Sequence, residues 1–506
     1  MIPSPAAVRV RTIRPRDRPV TLTSVVRRSS APRSDRTTYR VTFAVLAAAT
    51  VSFSLVQSMT IPVIAQIQDH FSTTQATSTW VLTAYLLSAS VATPIVGRLG
   101  DALGKEKMLV FSIGALALGS LVAALAPSIG VMIAARVIQG IGGGVLPISF
   151  GIIRDEFPEK KVAGAISVTS SLMAVGMGIG IVVAGPLVDY LGYAWLFWLP
   201  CAVTGVTALI AVVVVPPSPI RRPGRVSLVS AVLLSGWLVC LLLAVSQGGQ
   251  WGWSSVTVIS LFAGAIVLGL CWVLTETRVR VPLVDMRMMR RTAVWTTNLV
   301  ALLVGVGMYA SFGFTPQFNQ TPPSAGYGFG ASVTESGLLM LPAAVMTFVA
   351  GVVASRIADR IGPKAVVAGG SAIACAGLLM QALWHGERWQ MLVANGLAGL
   401  GIGLAFACLA ALIVGAVPAD QTGIASGMNA NIRTIGGAIG SAVMGGIVTA
   451  HATPEGLPVE AGYTVGFLAL AGAFAVATLC ALTIPVHSEE ELEDALLHDG
   501  FDEEAH

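Results

Sequence analysis

Fourteen long apolar runs, separated by short polar stretches, leave this sequence few ways to fold. They cover residues 42–64, 78–97, 108–126, 129–151, 162–188, 195–215, 228–246, 256–275, 294–316, 335–355, 365–383, 390–415, 424–450 and 464–485. A helix needs about 20 mostly apolar residues to cross the hydrocarbon core of a bilayer. Inside that core every backbone N–H and C=O must find a partner within the protein, which leaves only helices and closed barrels. These runs are too long and too uniformly apolar for barrel strands, which alternate apolar and polar residues. Composition agrees: 55% of the chain is hydrophobic and only 11% is charged, against about 25% charged in soluble domains. The expectation is an all-α integral membrane protein with fourteen transmembrane helices.

The basic residues set the orientation. Of the 30 Lys and Arg, all but Arg136, Arg388 and Arg433 fall before the first run or in the connections that alternate with it on one face. Arg388 is alone on the other face, and Arg136 and Arg433 lie inside runs. Lys and Arg accumulate on the cytoplasmic side. The basic face is therefore expected to be cytoplasmic, with both termini there, in a multi-pass protein of the inner (plasma) membrane. The first 40 residues hold ten Arg against Asp17 and Asp35. They read as a disordered basic tail that can lie on anionic lipid, or else as an Arg-rich, acid-poor transit leader. From Glu489 onward the chain is acidic. The expected organisation is a tail (1–41), a six-helix bundle (42–215), two added helices with their linkers (216–293), a second six-helix bundle (294–485) and an acidic tail (486–506).

Several chemistries find no support. The six Cys are far apart and lie inside apolar runs, and the six His fall in connections or tails. No metal-ligand spacing and no Cys framework result. No G-x-x-x-x-G-K-[ST] loop is present to use ATP directly. No run carries a cluster of acids and His suited to acid–base work. The chain is expected to be neither an enzyme nor a nucleic-acid binder, and to need no cofactor or metal.

One short charged sequence occurs twice. Gly97-Arg98-Leu99-Gly100-Asp101-Ala102-Leu103-Gly104-Lys105-Glu106-Lys107 joins the second and third runs, and Arg356-Ile357-Ala358-Asp359-Arg360-Ile361-Gly362-Pro363-Lys364 joins the tenth and eleventh. In both, Asp follows Arg by three residues and Gly follows Asp by three; Lys comes directly after in the first copy and after one intervening Pro in the second. A repeated connection in an apolar chain marks two related halves, the building plan of secondary transporters. Gly97 and Gly104 allow a tight turn and close helix approach. Asp101 suits the positive N-terminus of a neighbouring helix. Arg98 and Lys105 can pair with acids or lipid phosphates. The second copy lacks a Gly before its Arg and carries Pro363, so the first is expected to be the gate.

The first copy resembles the signature G-x-L-[AG]-D-x-x-G-[RK]-[RK] of the major facilitator superfamily. Other stretches extend the likeness. Arg136-Val137-Ile138-Gln139-Gly140-Ile141-Gly142-Gly143-Gly144 is similar to the family's R-x-x-Q-G-x-G-[GA]-[GA] pattern. Gly176, Gly178, Gly180, Gly185 and Pro186 resemble the antiporter motif ending in G-P-x-x-G-G, with the spacing before Gly185 off by one and Val188-Asp189 replacing the final Gly pair. Asn429-Ala430-Asn431-Ile432-Arg433-Thr434-Ile435-Gly436-Gly437 is similar to an N-x-x-R-x-x-G-G stretch of fourteen-helix members. The first run departs from them: it reads Val56-Gln57-Ser58-Met59-Thr60 where relatives carry a coupling Asp.

The resemblance implies a major facilitator fold of two six-helix bundles plus two extra helices, close to the Emr/Qac drug:proton antiporters. It implies proton-coupled efflux of lipophilic compounds by alternating access, carried out by a monomer in the lipid bilayer. Burying an Arg in a membrane helix costs roughly 2.5–3.5 kcal/mol even on insertion scales, so Arg136 and Arg433 are expected to face a cavity or a partner. Asp189 and Arg136 are the coupling candidates, with Asp189 either a proton-binding group, since desolvation favours the neutral form of an acid, or an exposed helix-end acid before Tyr190-Leu191-Gly192. Gln57, Tyr85, Gln139 and Asn429 either line the cavity or bridge helices. The added pair of helices reads as lipid-facing packing. Few fixed charges would suit neutral or cationic lipophiles. The missing Asp in the first run leaves uptake or uncoupled facilitation of a small solute open, and more remotely a membrane receptor.

Overall fold

The computed structural model describes residues 36–218, 227–279, 282–418, 421–450 and 458–485. The acidic tail and most of the basic tail lie outside these. Fourteen helices among the described residues are long and apolar enough to cross a membrane: α1 (Tyr39–Val63), α2 (Trp80–Leu103), α3 (Lys105–Ala124), α4 (Ile129–Glu156), α5 (Lys160–Leu191), α6 (Trp195–Val214), α7 (Leu228–Trp251), α8 (Val256–Arg278), α9 (Thr292–Gln320), α10 (Val333–Ile361), α11 (Pro363–Leu383), α12 (Arg388–Gly415), α13 (Thr422–Ala450) and α14 (Glu460–Ala481).

The packing repeats with an offset of eight helices. In the first bundle α1 packs on α5 and α6, α3 on α4 and α6, and α2 on α4. In the second, α9 packs on α13 and α14, α11 on α12 and α14, and α10 on α12. The bundles meet along two seams, α5 on α10 and α2 on α13. The same offset exchanges these two seams, so the halves are related by a pseudo-twofold axis.

Glycines decide how closely the seams approach. On α5, a Cβ at Gly176 or Gly180 would strike Ser54 or Ser58 of α1, whereas one at Gly178 or Gly185 would strike Ala344 or Thr334 of α10. Gly176 and Gly180 are one turn apart, so one glycine row serves the bundle and the other serves the seam. On α4 the run Gly142–Gly144 forms a 3-10 turn (Ile141–Gly144) that presses on Leu116 of α3 and on Thr93 and Val96 of α2.

The structure corrects two expectations. The repeated charged segments are not loops. Arg98 and Asp101 belong to the last turns of α2, and Arg356 and Asp359 to the last turns of α10. Each chain reversal is a single glycine, Gly104 (φ 117°) and Gly362 (φ 83°), in the positive-φ region that a side chain disfavours. The charges are spaced three or four residues apart on one helical face, so they do not end the helix. The added helices also differ from each other. α8 is largely exposed, as a lipid-facing helix would be. α7 instead packs on both α2 and α13, and its Leu234, Leu238 and Leu242 join the central core. It therefore runs along the α2–α13 seam.

Candidate functional site

The first charged segment builds a buried network on the basic face. Lys105 donates to Asp155 Oδ2 at 2.7 Å and lies 3.9 Å from Asp101 Oδ1, and all three side chains are at most 3% exposed. The Lys105 stem runs over Gly151 of α4, where a Cβ would come within 2.9 Å of it. Ser218, just beyond α6, donates its hydroxyl to Asp155 at 3.2 Å and its N–H to Glu106 at 3.0 Å. Across the seam, the Asp101 carboxylate faces Gly423 in the first turn of α13, with both oxygens 3.2 Å from where a Cβ would sit. A carboxylate there meets the partial positive charge of the helix N-terminus. Gly97 backs onto the Gly423 carbonyl, 3.0 Å from the position of its own missing Cβ. Arg154 completes the closure from α4, donating to the Val414 carbonyl (2.6 Å) and to Thr422 Oγ1 (2.8 Å).

The second segment is placed differently. Arg356 and Asp359 are exposed. Asp359 edges a cavity of about 330 Å³ on the basic face, with Thr297, Ser355 and Cys408 also on its wall. Gly362 makes the turn and touches nothing with its missing Cβ.

Between the bundles, within the span of the helices, is a cavity of about 30 Å³, lined by Phe53, Gln57 and Tyr85 from the first half and Tyr309, Asn431 and Arg433 from the second. Gln57 Oε1 and the Tyr85 hydroxyl are buried without partners. Arg136 stands behind Tyr85, its guanidinium 4.5 Å above the ring. It donates to the Val81 carbonyl (3.0 Å), the Val56 carbonyl (3.1 Å) and Gln139 Oε1 (2.7 Å), and Gln139 in turn donates to Ser120 (2.9 Å). Gln139 thus holds Arg136 rather than lining the cavity. Arg433 lies over Phe406 at 4.3 Å and donates to Asn429 Oδ1 at 3.3 Å. Asn429 stands one layer back and donates to Asn298 Oδ1 at 2.9 Å. Asn431 crosses the seam to the Ser90 carbonyl at 2.7 Å.

Toward the opposite face α5 and α10 pack closely across the second seam. Gly185 sits against Thr334, Gly337 against Val182, and the Thr334 hydroxyl donates to Asp189 Oδ2 at 3.0 Å. Pro186 lies inside α5 beside this contact. Asp189 is exposed, and no ion pair joins it to Arg136 among the described residues. The connection after α9 folds back over the second bundle. Tyr327 is buried there and donates to the Pro458 carbonyl at 2.7 Å, beside Phe318 and Tyr463.

Sequence reasoning did not single out Asp155, Arg154, Thr334, Tyr309 or Asn298. Their signal was weak, because Arg154 and Asp155 sit in an ordinary charged stretch at a helix end and the others are common polar residues in or beside apolar runs, and each becomes meaningful only through its partner on another helix. Among the described residues no three His, Cys, Asp or Glu gather where an ion could bind.

The family model of the Major Facilitator Superfamily matches residues 46–441 and 297–497. The chain belongs to this superfamily. It is a multi-pass membrane transporter, with fourteen helices of membrane-spanning length and hydropathy among the described residues. Among its relatives is the multidrug resistance protein Stp of Mycobacterium tuberculosis, 29% identical over 76% of this chain and 71% of that protein. The tetracenomycin C resistance and export protein of Streptomyces glaucescens is 26% identical over 75% of this chain and 70% of that protein. The multidrug transporter protein MdtP of Bacillus subtilis is 26% identical over 74% of this chain and 69% of that protein. Among solved structures, the human organic anion transporter MFSD10 (TETRAN) superposes with a TM-score of 0.61 over 87% of this chain and 99% of that chain, at 16% identity. That likeness concerns the fold.

Proposed function

We propose that this transporter exports small lipophilic compounds from the cytoplasm by alternating access, driven by protons entering from outside. In this scheme the basic face is cytoplasmic and the membrane is the plasma membrane. The observation that carries it is the small cavity between the bundles, lined by both apolar and polar side chains, together with seam contacts toward each face: Asp101 and Arg154 against the start of α13, and Asp189 against Thr334. A central site that each seam can uncover in turn is what alternating access requires. The names of the relatives, which speak of multidrug resistance and export, support the outward direction.

Asp189 is the proton acceptor in this scheme. It is exposed on the outer face and accepts from Thr334 across the seam. Protonation removes the negative charge to which that hydroxyl donates and so weakens the outer seal. The Asp101 contact keeps the inner seal shut meanwhile, and the compound leaves outward. Arg136 stays embedded in its own network and holds α1, α2 and α4 together beside the cavity. One proton crossing 100 mV contributes about 2.3 kcal/mol.

The test uses inside-out vesicles containing the full chain. Accumulation of a lipophilic dye should collapse when a proton uncoupler is added, and Asp189→Asn should accumulate dye with a weaker dependence on the pH gradient. Accumulation indifferent to the uncoupler would remove the proton from the scheme and leave facilitated transport.

A further inference from the structure

The cavity holds an imbalance of charge that efflux of neutral or cationic compounds does not explain. Arg136 and Arg433 are buried inside the membrane-spanning region, 0% and 5% exposed. Among the described residues, every Asp and Glu of the fourteen helices lies within three residues of a helix end. No acid is therefore available at their depth, and neither Arg forms an ion pair among the described residues. A guanidinium stays protonated in proteins, so both charges are permanent.

Their hydrogen bonding is also incomplete. Arg136 Nη2 and Arg433 Nε are buried without partners, as are the Tyr85 hydroxyl on the cavity wall and Asn298 Nδ2 behind it. The two arginines are not equivalent. Arg136 has three acceptors and lies behind Tyr85. Arg433 is on the wall itself, with one long bond to Asn429 and the Tyr309 hydroxyl beside it. Buried unpaired donors are costly, and buried charges are ordinarily paired. The missing partner is an acceptor with negative charge.

We propose that the central cavity is an anion site, and that the exported compounds include amphiphiles carrying a carboxylate or a comparable oxyanion. Arg433 holds the anionic group, with Tyr309 and Asn431 beside it, and Arg136 adds its field from behind Tyr85. Phe53, Leu146 and Met173 receive the apolar body. At about 30 Å³ the cavity holds little more than a water, so the ligand enters when the bundles part and the walls close on its charged end. A cation would meet two fixed positive charges there. An anion leaving a negative interior also moves down the electrical gradient. The substrate class rests on the proposed export function; occupancy of the site does not.

Three probes of one shape separate the possibilities: 1-naphthoate, 1-naphthamide and 1-naphthylmethylammonium. Equilibrium binding to the purified full chain in lipid nanodiscs should favour the carboxylate by at least about tenfold over either analogue, as expected for a charge-assisted bond to guanidinium. Arg433→Gln should remove that preference and Arg433→Lys should restore part of it, which a merely structural arginine would not do. The wild-type comparison needs no variant and decides the matter even if both substitutions fail to fold. Equal or tighter binding of the amide or the ammonium overturns the anion site. So does full displacement of naphthoate by chloride at equal concentration, which would make the arginines a site for an inorganic counterion. Naphthoate that binds but does not accumulate in inside-out vesicles supports the site and removes export of this class. Ammonium that both binds better and accumulates removes the anion site and leaves export standing.

Discussion

The two copies of the charged segment share a sequence pattern and a local structure but not an environment. Each ends a long helix, turns on one positive-φ glycine and starts the next helix. In the first copy Arg98, Asp101 and Lys105 are buried. In the other, Arg356 and Asp359 are exposed. The reason lies in what surrounds each. The first has α13 across the seam and Asp155 of α4 beneath it, whereas Asp359 of the other borders an open cavity. The same charges therefore form a latch in one half and a solvated rim in the other.

Substitutions can break that comparison. Lys105→Ala has the largest expected effect, because it leaves Asp155 buried without its cation. Loss of one partner of a buried pair costs about 3–5 kcal/mol, readable as a fall in thermal stability of the purified protein, whereas Lys364→Ala should change it little. Asp101→Ala comes next. A charge at a partly buried helix end contributes up to about 2 kcal/mol, so vesicle transport should fall by roughly tenfold or more while membrane insertion stays normal. Gly97→Val wedges the Gly423 backbone apart. A cysteine cross-link across the α2–α13 seam should then form more slowly than in the wild type, and an unchanged rate would mean the close approach is not needed. Asp359→Ala should have the smallest effect, within about twofold of wild-type transport, as for other exposed positions. Equal losses at Asp101 and Asp359 would erase the distinction between the copies.

Much of the fold was legible because lipid imposes a simple rule. Long apolar runs must become helices, so the fourteen spans follow from hydropathy alone, and the repeated segment places the halves. The helix ends were less legible. Gly97 to Leu103 resembles a loop because it is charged, yet its charges find partners and the helix continues to the glycine. Of the candidate site, Arg136 and Arg433 stood out because an arginine in an apolar run is expensive. Tyr309, Asn298 and Thr334 did not, because uncharged polar residues are ordinary in such helices until another helix supplies the other half of the contact.

By itself the sequence determined a fourteen-helix membrane chain with two related halves, since length, hydropathy and repetition are properties of consecutive residues. Only the tertiary structure decided which copy of the charged segment became a latch, that α7 runs along a seam, and that one arginine lines the cavity while another stands behind its wall, with no acid at their depth among the described residues. Those outcomes depend on side chains brought together from helices hundreds of residues apart, and no local pattern encodes which partner, or lack of one, each charge will meet.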